Sequence, residues 1–165
     1  MNPVIKYFTG EKAESYLFII AGVLALALAF YFVFALKTTF WKGVAVPFVT
    51  VALLELIVGY TIVTRSPKDI VRVEAWISQQ PLKIKTDEIP RMQVVMRNFV
   101  VFRYMEIALI LLGIVLMYST LNDTFWRGLG LGLFMQAGIV LSLDFFAERR
   151  GHLYLEYLNQ LAGVN

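Results

Sequence analysis

Residues 16–36 read YLFIIAGVLALALAFYFVFAL, twenty-one positions from Tyr16 to Leu36 without an acidic or basic side chain. As a helix rising about 1.5 Å per residue, such a stretch spans a hydrocarbon layer of about 30 Å. It is too long for the apolar core of a signal peptide, and no small-residue cleavage site follows it, so it reads as a retained transmembrane helix.

The rest of the chain repeats the pattern. Further apolar stretches run from about Val44 to Thr64 with Glu55 inside, and from about Phe99 to Thr120 with Arg103 and Glu106. A fourth runs from about Gly128 to Ala147 with Gln136 and Asp144. Across all 165 residues 59% are hydrophobic and only 16% charged, against about 45–50% and about 25% in soluble domains. So small a globule has too little interior to bury that much apolar surface, and lipid resolves the excess. The expected fold is an all-α integral membrane protein, a four-transmembrane-helix bundle forming one domain over 1–165.

Lys and Arg set the orientation. Lys6 and Lys12 precede the first span, seven basic residues from Arg65 to Arg97 fill the central segment, and Arg149 and Arg150 follow the fourth span. The short connections hold only Lys37, Lys42 and Arg127. The positive-inside rule then places both termini and the central segment in the cytoplasm, in a plasma (inner) membrane protein.

Thr39-Phe40-Trp41-Lys42-Gly43 returns as Thr124-Phe125-Trp126-Arg127-Gly128, each between two spans, and Arg65 matches Arg150 at the same offset. This pattern predicts two tandem hairpins in one orientation, about 12–80 and about 90–165, related by an axis along the membrane normal. Ser66-Pro67-Lys68-Asp69 reads as a capping box opening a separate amphipathic helix at about 67–79, whose apolar side carries Ile70, Val73 and Trp76. Pro90 should open the third helix a few turns before its span, and an amphipathic tail is expected at about 150–161.

Ionisable residues inside a span cost about 2.5–3.5 kcal/mol at its centre and therefore face protein or a wet cavity. Glu55 falls roughly 20 Å inward from Lys42, Glu106 roughly 21 Å from Thr120, and Asp144 roughly 26 Å from Arg127. Arg103, one turn from Glu106, is placed to pair with Glu106 or Glu55. One polar cluster of Glu55, Arg103, Glu106, Asp144 and Gln136 is the result. Along the second and fourth helices, Gly43, Pro47, Val51, Glu55 and Gly59 match Gly128, Gly132, Gln136, Val140 and Asp144 at a spacing of four. The small residues Gly43, Gly59, Gly128 and Gly132 predict close contact between these two helices.

Without cysteine, thiolate chemistry and disulfides are excluded, and a single histidine, His152, argues against metal or haem sites. Glu148 and His152 lack the paired Glu-x-x-His pattern of carboxylate-bridged metal bundles. No phosphate loop, nucleophile–base set or nucleic-acid motif is present. The expected cofactors are none, and the expected surroundings are the bilayer, further copies of the chain or a membrane protein partner. Three readings follow for the cluster. It serves an oligomeric ion or proton channel or carrier, or the protein is a non-catalytic partner (a regulatory subunit, or an immunity protein against a membrane-acting toxin) docking through Ile70, Val73 and Trp76. In the third reading the charges only fix helix register.

Overall fold

A computed structural model describes residues 2–118 and 124–163. The protein is all-α, and its four long helices are each long and apolar enough to cross a membrane. Helix α1 covers Pro3–Tyr31, with Pro3 at its first position and the Asn2 side chain accepting from the Val4 amide at 3.0 Å. A wider π turn at Phe32–Leu36 continues it, and Lys37 ends it in the left-handed conformation at φ 57°. Thr38 then caps α2, Thr39–Gln79. A second π turn at Ile84–Glu88 leads into α3, Ile89–Tyr118, which has Pro90 in its first turn; α4 is Thr124–Leu161. The predicted end of the third span at Thr120 lies outside the described residues.

The separate helix expected from Ser66-Pro67 does not form, because α2 runs through Pro67 unbroken. The Ser66 hydroxyl caps nothing ahead of it and instead donates back to the Ile62 carbonyl at 2.7 Å. Asp69 holds the turns around the proline through ion pairs with Arg65 at 3.7 Å and Arg72 at 2.8 Å. The amphipathic tail is likewise the continuous end of α4. At about 1.5 Å per residue α2 is about 60 Å long, roughly twice a hydrocarbon core.

The helices lie in the order α1, α2, α4, α3. Neighbours in that row pack closely, α1 also meets α4, and among the described residues no backbone approach links α3 to α1 or α2. Glycine sets the central contact. A Cβ on Gly43 would strike the backbone of Phe125 and Leu129, and one on Gly128 the backbone of Phe40 and Val44. The two matched sequences thus grip one another reciprocally, and Gly132 fits against the Val44 carbonyl and Pro47. Gly59, expected on the same contact, faces Ser15 and Ile19 of α1 instead. A spacing of four turns a residue about 40° round a helix per step, so four steps from Gly43 rotate the stripe by about 160°.

At the end carrying residue 2 and the last turns of α2 and α4, all four helices and the second π turn share one core. Val4, Phe8, Val73, Met92 and Leu158 are fully buried there. Tyr7 stacks on Tyr154 with ring centroids 4.1 Å apart. Ion pairs lace this end: Glu11 with Arg65, Asp69 with Arg65 and Arg72, Glu88 with Arg72 and Arg91, and Glu14 with Arg150. Elsewhere large apolar side chains point outward around the row, among them Phe34, Tyr60, Val115 and Phe145, each more than 60% exposed.

Candidate functional site

Phe99, Arg103 and Glu106 recur every three or four residues and, with Ile107 beside Glu106, form one stripe of α3. Opposite lie Leu141, Ser142, Asp144, Phe145 and Glu148 of α4, and between the stripes opens a cleft of about 520 Å³. The helices meet tightly nearer the two connections, where Gly113 and Gly130 each lie against the other's carbonyl.

The cleft holds two polar pairs. Arg103 forms an ion pair with Glu148, and His152 Nε2 stands 3.6 Å from the same carboxylate oxygen. One turn further in, Glu106 and Asp144 line the same cleft from α3 and α4. Glu106 is 6% exposed, and its Oε2 has no hydrogen-bond partner among the described residues. A second cleft of about 500 Å³, lined by Ile110, Phe134, Met135, Gly138 and Ile139, adjoins it at Ser142, which lines both. A Cβ on Gly138 would meet nothing within 4 Å.

The structure therefore divides the cluster expected from the sequence. Glu106, Asp144 and Arg103 share one cleft, and Glu148, weighed only as part of a metal site, is the ion-pair partner of Arg103. Glu55 is buried on α2 with neither oxygen partnered among the described residues. Gln136 is buried on α4, its Nε2 also without a partner there. The row order explains the split, since α2 and α3 lie on opposite sides of α4. The rotation that carries Gly59 to α1 also carries Asp144 to α3.

Ile70, Val73 and Trp76 are not an open docking face. Val73 is fully buried, and Ile70 and Trp76 pack against the same core. Arg72 and Lys83 cover the Trp76 ring at 5.1 and 5.5 Å. The apolar side of this helical stretch is used by the protein itself.

Sequence reasoning missed Glu88. It is fully buried, accepts from Arg91 at 2.6 and 3.0 Å, and accepts from the Tyr154 hydroxyl at 3.0 Å. Burial, with the Glu88 charge beside it, raises the Tyr154 phenol well above its ordinary range. Burial and the nearby Glu11 do the same to Tyr7. Glu88 and Arg91 are three apart, a spacing legible in the sequence, but both lie outside the expected spans, where attention to buried charge was directed.

No family model matches the chain, and comparison with curated proteins and with solved structures finds no match. Function must be argued from the cleft.

Proposed function

We propose that the chain is a multi-pass membrane carrier for protons or small cations, with Glu106 and Asp144 as its ion-binding pair. The membrane reading is supported by the belt of exposed aromatic and aliphatic side chains, which water would penalise by about 25 cal/mol per Å². The basic residues favour a plasma (inner) membrane with both termini cytoplasmic. The reciprocal grip of Gly43 and Gly128 favours two hairpins derived by duplication.

One observation carries the transport reading: two carboxyl groups on facing apolar helices, Glu106 and Asp144, line one cleft, and a Glu106 oxygen there has no hydrogen-bond partner among the described residues. A purely structural knot would spend Arg103 on those acids, whereas Arg103 is engaged by Glu148. A row of four helices has no closed wall, so a channel would require further copies, and a carrier does not. The partner-protein reading loses support because its docking side chains belong to the core.

The test is proton flux into liposomes containing the purified protein, followed with an internal pH-sensitive dye. Wild type should exceed empty liposomes, Asp144→Asn should lower that excess at least tenfold, and Glu55→Gln should retain it. Folded wild-type protein with no flux above the empty control would end the carrier reading.

A further inference from the structure

The cleft's chemistry is lopsided. Its walls are apolar, with Phe99 and Ile107 on one side and Leu141 and Phe145 on the other. Its charged groups are three carboxyls and one guanidinium, and that guanidinium is already engaged by Glu148. What is left is the Glu106–Asp144 pair, with a nine-tenths-buried Glu106 on the wall and one of its oxygens unpartnered. About 520 Å³ lies within the usual range of about 300–1,000 Å³ for small-molecule sites.

Three kinds of occupant can be compared. An anionic lipid headgroup would bring its charge against an acidic excess. A neutral acyl chain would fill the apolar part and leave the carboxyl pair uncompensated, a costly arrangement in a low-dielectric site. An organic cation with an apolar body satisfies both halves. The outward-facing Phe145 and Phe146 at the rim, 62% and 61% exposed, make the approach from the side an apolar one.

We propose that the α3–α4 cleft binds lipophilic organic cations entering sideways from the lipid, with the charge held at Glu106 and Asp144 and the apolar body lying past Ser142 toward Gly138. This rests on the carrier reading of the same site and names its substrate class.

The experiment uses the full chain in nanodiscs of zwitterionic lipid, titrated with tetraphenylphosphonium and separately with tetraphenylborate, which has the same shape and the opposite charge. The cation should bind saturably, near one per chain, and the anion should only partition as it does into empty nanodiscs. The double variant Glu106→Gln/Asp144→Asn should weaken cation binding at least tenfold. Should that variant fail to fold, Gly138→Leu tests the cleft by filling open space, and should weaken binding severalfold at unchanged thermal stability. Equal binding of the two ions, or cation binding that survives these substitutions, would overturn the inference. Proton flux without cation binding removes this inference and keeps the carrier reading. Carboxyl-dependent cation binding without flux keeps the site and removes the carrier.

Discussion

Glu88 has no exposed surface, and its partners come from three helices: Arg72 of α2, Arg91 of α3 and Tyr154 of α4. A buried charge that loses its partner is penalised far more than a pair removed together. Arg91→Leu should therefore destabilise the protein by about 3–5 kcal/mol, and adding Glu88→Leu should restore most of that in detergent unfolding curves. A double variant as unstable as the single one would show that packing around Arg91 is what matters. The tyrosines add a pH dependence. Their folded-state pKa values lie above the unfolded value of about 10, so the native state holds protons that the unfolded chain releases. Their contribution is complete below about pH 10 and is lost as pH rises beyond it. The melting temperature should fall above that point, and the fall should be shallower in Tyr154→Phe. Identical slopes would remove the tyrosine as its source.

For the helices, local signals and tertiary packing gave different answers at different places. Four helices were legible because apolar length in a spanning segment is a property of the segment alone. The start expected at Ser66 was not, because a capping sequence opens a helix only where the preceding turn has stopped, and packing of Val73 and pairing at Asp69 keep α2 going. The α2–α4 contact was legible at Gly43, Gly128 and Gly132 and misread at Gly59, where rotation of the stripe had accumulated. Gly113 and Gly130, which join α3 to α4, were not singled out, although Gly113 stands two turns from Glu106 on the same face of α3. The glycines also separate by what a side chain would meet. Gly128→Val should destabilise the protein strongly, by at least 3 °C in melting temperature, because backbone stands where its Cβ would go, whereas Gly138→Ala should change it by less than about 0.5 kcal/mol. Comparable losses at the two positions would mean that α2 and α4 do not meet through these glycines.

As a whole the molecule is a row of helices sealed at one end by a polar-laced core and open along α3 and α4. Half of the candidate site was legible: intramembrane charge drew attention to Glu106, Asp144 and Arg103, yet depth alone could not tell that Glu55 lies across α4 from them. Lateral position depends on helix order, which no single helix encodes. Orientation can be tested directly, because the chain has no native cysteine to confuse labelling. In intact cells a membrane-impermeant maleimide should label Lys42→Cys, and it should reach Lys83→Cys only after permeabilisation. The opposite pattern would invert the topology. The core at the sealed end also has an implication for biosynthesis. Tyr7 and Glu14, near the start of the chain, find their partners in Tyr154 and Arg150, close to its finish. A ribosome releases the first hairpin long before those partners exist, so the nascent protein waits with an acid and an aromatic face uncovered. Chains cut short before Arg150 would keep those groups bare.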